Sequence, residues 1–133
     1  MRKFTGLMLL TVISLGTVPV AAQHGHPLVG SWSGDWGPSQ SDRTRVLMTF
    51  SFGIDQVISG FIIENGSRIP LQKAELDPAN WAVAISAERA TDEGIVRYRI
   101  EGVIENLGSP TERTISGTWF EGQVSGDFRV SIN

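Results

Sequence analysis

Glycine recurs in this chain with an apolar residue two positions before it and a bulky one two positions after it. The copies are Leu28-Val-Gly30-Ser-Trp32, Trp32-Ser-Gly34-Asp-Trp36, Ile58-Ser-Gly60-Phe-Ile62, Ile100-Glu-Gly102-Val-Ile104, Ile115-Ser-Gly117-Thr-Trp119 and Val124-Ser-Gly126-Asp-Phe128. Residues at i, i+2 and i+4 of a strand share one face, so each copy is a half-buried strand with a gap in its buried row. Glycine weakens a strand interior and marks a tight bend or a close approach of backbone. Recurring at this density, it points to a small, strongly curved antiparallel barrel.

Turn signals separate the strands about every ten residues, the rhythm of an all-β barrel or sandwich. The expected strands run over about 28–36, 44–52, 56–64, 68–76, 81–87, 95–105, 113–121 and 123–132. Asn65-Gly66 is the strongest hairpin signal, because a type I′ turn needs two residues at positive φ. Pro70 predicts an edge or a bulge in the fourth strand. Short connections throughout favour an up-and-down meander. The expected fold is an all-β, eight-stranded antiparallel up-and-down barrel, whose interior holds packed side chains or one small ligand.

Domain organisation is simple. Residues 1–22 read as a signal peptide: Arg2 and Lys3 open it, an apolar stretch follows from Leu7 to Val18, and Val20-Ala21-Ala22 supplies small residues for cleavage. The apolar run falls short of the roughly 20 residues a spanning helix needs. Residues 23–27 read as a flexible lead-in and 28–133 as a single barrel domain. The protein is therefore expected outside the cytoplasm, periplasmic or extracellular, with no membrane span. A formal net charge of −3 and no basic stripe argue against a nucleic-acid partner. The absence of cysteine excludes thiol chemistry and thiolate metal sites.

The Gly30-x-Trp32 pair on the first of eight strands resembles the calycins, the group of lipocalins, avidins and fatty-acid-binding proteins. Gly117-Thr118-Trp119 is similar to the Gly-Thr-Trp strands of avidin-type barrels. The resemblance covers residues 28–132. It implies a ligand-binding barrel, with Trp32 closing one end and a late Arg or Lys packed across it. Arg129 stands in the right region for that role, but its parity places it opposite Phe128 and Val130. A Thr-Asp-Tyr lipocalin motif is absent from the sequence.

Trp32, Trp36, Trp81, Tyr98 and Trp119 all fall on the expected inward face and are the candidate ligand-binding residues. They line an aromatic pocket, or they fill the space beside the glycines as plain core. Trp36 and Trp81 lie nearest strand ends and so nearest a barrel mouth. His24 and His26 are candidate metal ligands, since imidazole suits Cu, Ni or Zn; a polar tail explains them equally. Asp35, Asp42, Arg43 and Arg45 gather near the first turn, and Arg97, Arg99 and Glu101 stud one face of strand six, read as an outer solvated face. Strand alternation offers no carboxylate clearly beside the aromatics, and no nucleophile–base pair is readable, so no catalytic residue and no cofactor is implied. The leading expectation is an exported, non-enzymatic barrel, monomeric or a small homo-oligomer, binding a small, largely apolar ligand. The alternatives are a pocketless protein- or surface-interaction module, and a small barrel hydrolase or isomerase.

Overall fold

The computed structural model describes residues 26–133. The expected signal peptide and His24 lie outside them. Eight strands follow in order: β1 (Gly30–Gly37), β2 (Thr44–Phe52), β3 (Ile58–Glu64), β4 (Ser67–Asp77), β5 (Ala82–Thr91), β6 (Gly94–Glu105), β7 (Thr114–Glu121) and β8 (Val124–Ile132). Each pairs antiparallel with its sequence neighbour, and β1 pairs with β8 from Trp32↔Ile132 to Gly37↔Asp127, closing the barrel. This is the expected up-and-down architecture, consistent with a calycin-like barrel.

Period-two alternation drives the sorting of side chains. Trp32 and Trp36, Val46, Met48 and Phe50, Ile62, Val83 and Ile85, Tyr98, Ile100 and Ile104, Ile115 and Trp119, and Phe128 and Val130 are buried in one continuous core. Arg97, Arg99 and Glu101 alternate with the buried residues of β6 and face solvent, as expected. Arg97 pairs there with Glu88 at 3.0 Å, and Arg99 lies 4.0 Å from the Phe120 ring centre.

The glycine motif has a sharper cause than curvature alone. Gly102 and Gly117 face each other across β6 and β7. A Cβ on Gly117 would run into the Glu101 carbonyl and the Gly102 Cα, and one on Gly102 would also sit 2.8 Å from the Phe128 ring. The strands approach so closely that backbone fills the place of a side chain. Phe50 stands between Gly30 and Gly60, and Trp119 beside Gly126, so large rings cover the gaps.

Connections place two distinct ends. One is formed by the β2–β3, β4–β5 and β6–β7 loops together with the lead-in. Leu28 and Trp32 are fully buried there, with Trp32 Nε1 donating to the Leu28 carbonyl at 2.8 Å. Arg113 donates to the Pro27 carbonyl at 3.2 Å and to the Leu107 carbonyl at 3.5 Å, tying lead-in to loop. Arg129 is exposed on the outer face of β8, as its parity requires. The other end carries the short β1–β2, β3–β4, β5–β6 and β7–β8 turns. Asn65 at φ 50° and Gly66 at φ 81° form the expected tight β3–β4 hairpin.

The wall is least continuous between β3 and β4. Their pairing stops at Phe61↔Pro70, and a bulge between Leu71 and Lys73 shifts the β4–β5 register. Pro70, lacking an N–H, marks where β4 leaves its neighbour.

Candidate functional site

The polar chemistry of the interior gathers at the end with the short turns. Trp36 and Glu64 are the inward residues at the ends of β1 and β3, where the strands run into their turns. Arg89 continues the inward row of Val83, Ile85 and Ala87 on β5, Tyr98 lies on β6, and Glu121 follows Trp119 by two positions on β7. Alternation therefore aims all of them at the same mouth.

Glu64 is the anchor. It is only 7% exposed, and a carboxylate in that position requires hydrogen-bond partners. Trp36 Nε1 donates to Oε2 at 3.1 Å, and Tyr98 Oη donates to Oε1 at 3.1 Å. Arg89 stands 4.0 Å from Oε1 and donates through Nε to the Tyr98 oxygen at 3.1 Å. The aromatic rings form the floor: Trp36 stacks on Trp119 at 5.4 Å and on Tyr98 at 5.9 Å between ring centres. Burial is the main cause that pushes the Tyr98 hydroxyl up to about 12, so it remains a donor.

Glu121 lines the same mouth as Glu64. Burial first, and then the neighbouring Glu64 carboxylate, push the Glu121 carboxyl up to about 7, with Arg89 opposing the shift. A second negative charge beside Glu64 is disfavoured in this half-buried place, so the proton is held on Glu121. Around them opens a pocket of about 280 Å³ lined by Pro38, Asp42, Thr44, Asn65, Trp119 and Val124 together with Glu64, Arg89 and Glu121. Trp119 is 4% exposed, and its Nε1 has no hydrogen-bond partner among the described residues.

The structure brings together Trp36, Tyr98 and Trp119 from the sequence-derived candidates. Trp32 lies at the opposite end as part of the apolar plug. Trp81 departs from expectation: it precedes β5 in a turn, at φ 60° and 38% exposed, so it does not join the inward row. Its N–H donates to the Asp77 carbonyl at 2.7 Å, and this turn geometry breaks the alternation that 83, 85 and 87 continue. His26 stacks on Phe52 at 5.0 Å, and its Nδ1 accepts the Leu28 N–H at 3.2 Å, which leaves only Nε2 for any ligand. Burial lowers its pKa. No group of three or more potential metal ligands occurs among the described residues.

Three residues of this candidate site escaped the sequence reading: Glu64, Arg89 and Glu121. The expectation that no carboxylate stands beside the aromatics is therefore corrected. Parity with Ile62 and Trp119 was the available signal for the two acids. Of the first-turn cluster, Arg43 is an external staple. It donates to Asp35 at 2.7 Å and to Asp127 at 2.5 Å, linking the start of β2 to β1 and β8. Asp42 alone of that cluster lines the pocket.

A second pocket of about 380 Å³ opens where β3 and β4 part, lined by His26, Phe52, Val57, Ile58 and residues 72–76. It is larger but gathers no buried charge; Lys73 and Glu75 there pair with each other at 3.2 Å. Compared with protein-family models, with curated proteins and with solved structures, the chain matches none of them.

Proposed function

We propose that this barrel binds a small molecule at the mouth carrying Glu64, Arg89, Trp119 and Glu121. The carrying observation is a buried carboxylate, fixed by an indole and a phenol, beneath an open pocket with an aromatic floor. Small-molecule sites bring convergent polar groups to an apolar or aromatic surface, here Glu64, Arg89 and Glu121 around Trp119. Aromatic side chains already occupy the barrel core, so the ligand is of fragment size and rests at the mouth. Its body is largely apolar, and one polar group reaches Arg89 or Glu121. The calycin resemblance supports this reading through architecture alone.

The test is a titration of the isotopically labelled protein with a set of small aromatic fragments, followed by amide chemical shifts. Shifts concentrated at Asn65, Glu121 and Val124 are the expected result. Silence at the mouth, or shifts confined to His26, Phe52 and Leu76, would refute it.

One observation favours a second reading as a surface-interaction module. Phe52, Ile54 and Val57 are exposed together around the β2–β3 loop, beside the second pocket. Exposed apolar patches mark interaction surfaces, and shifts confined to that end would support this reading. We also propose export, supported by the charged start, apolar run and small-residue site at the N-terminus. Amino-terminal sequencing of protein recovered outside the cytoplasm tests it, with Gln23 the expected first residue.

A further inference from the structure

We propose that the mouth is a proton-transfer site for a small enolisable ketone or aldehyde, with Glu121 as the base and Arg89 receiving the developing oxyanion. The proposal rests on the binding site described above and adds a reaction to it.

Three features of the pocket carry the inference. The first is the placement of Glu121 beside Glu64. Both line the pocket, but Glu64 is 7% exposed and held by Trp36 and Tyr98, whereas Glu121 is only half-buried, so Glu121 is the member a substrate meets. The second is the placement of donors. Arg89 is 34% exposed at its side chain and lines the pocket. Its Nε serves Tyr98 and its Nη2 stands 4.0 Å from Glu64, which leaves guanidinium N–H groups to serve a carbonyl oxygen in the pocket Arg89 lines. The third is Trp119, a second wall of the same pocket, whose buried indole N–H lacks a partner among the described residues. Donors for an oxygen and a base for a proton, lining one pocket over an aromatic floor, are complementary to a carbonyl compound with an acidic α-hydrogen. A cationic ligand would meet Arg89 instead.

The step balances without a co-reactant. The Glu121 carboxylate removes the α-proton. The C–H electron pair becomes the enolate double bond, and the carbonyl oxygen takes the negative charge beside Arg89. The protonated Glu121 then returns a proton to carbon, and the carboxylate is restored. Glu121 is poised for both halves near neutrality, where a general base is most effective. The charged and titratable groups facing it are Glu64 from β3, Arg89 from β5, Tyr98 from β6 and Asp42 from the β1–β2 turn.

The experiment follows deuterium incorporation at the α-carbon of phenylacetone in D2O by proton NMR, with the purified protein at increasing concentration. The expected result is exchange on the order of a hundredfold above buffer, rising with pH and levelling near 7. Glu121→Gln loses the acceleration while keeping its circular dichroism. Glu64→Gln shifts the pH inflection downward, because the repulsion that retains the proton on Glu121 is gone; a merely structural role would leave the inflection in place. Arg99→Ala, on the outer face, behaves as the parent. Acceleration that survives Glu121→Gln overturns the proposal. So does phenylacetone binding without exchange, which leaves the binding reading intact. Failure of phenylacetone to bind where other fragments do, or preferential binding of benzylammonium, overturns it as well. If no fragment binds at the mouth, both readings fall.

Discussion

Removing the Glu64 carboxylate would strand two buried donors, Trp36 Nε1 and Tyr98 Oη. An unpartnered buried polar group costs about 1–3 kcal/mol. Glu64→Ala should therefore lower unfolding stability by about 2–4 kcal/mol in urea titrations, and Glu64→Gln, which keeps one acceptor oxygen, by about half as much. Glu121 acts in the opposite sense. Its carboxyl titrates near 7 in the fold, against an ordinary value of 4.5, so between those limits the folded state binds more protons than the unfolded chain. Stability should fall as pH rises through that window and level off above it. Solvent at the open mouth screens the repulsion, so the loss is about 1–2 kcal/mol. Urea unfolding from pH 4 to 8 measures it, and Glu121→Gln should flatten the profile and raise stability at pH 8.

At the scale of the strand, the facing glycines of β6 and β7 set a clear test. Gly117→Ala places a methyl group against backbone that cannot yield, so it should cost about 3 kcal/mol or more. Gly108→Ala, in a loop with open space around it, should be near neutral by thermal melting. The strands themselves were legible because alternation and turn residues agree along almost the whole chain; β2 occupies the expected span, and most others differ by a residue or two. The mouth was not legible, and its residues show why. Glu64 precedes Asn65-Gly66 and Glu121 precedes Gly122, so each charge resembles a solvated turn residue. Arg89 follows Glu88 in a stretch that reads as the end of a strand, yet β5 runs on to Thr91 and turns Arg89 inward. Trp81 is the reverse case. Its apolar character and parity suggest the interior, but left-handed backbone redirects it, and periodicity carries no information about a single φ.

Closure joins the first strand to the last. Every other pairing is between sequence neighbours, whereas β1 and β8 must meet across nearly the whole described chain. The Arg43 bridge to Asp35 and Asp127 spans that seam on the outside. Its partners are exposed, so Arg43→Ala should cost only about 1 kcal/mol and less at high salt. Deleting β8 leaves β1 and β7 with bare edges and opens the core, so circular dichroism should show loss of the fold rather than a seven-stranded remnant. The two ends also divide the work of the molecule. One is sealed by Leu28, Trp32 and the Arg113 tie, and the other keeps its charges around an opening. The stacked indoles of Trp36 and Trp119 lie directly under that opening. Electronic transitions of two rings in such contact couple, and the coupling is chiral because the barrel fixes their mutual tilt. The molecule thus carries an unlabelled optical gauge of its own mouth: any event that tilts Trp119 against Trp36 is written into the ultraviolet circular dichroism before a single bond in the sheet has opened.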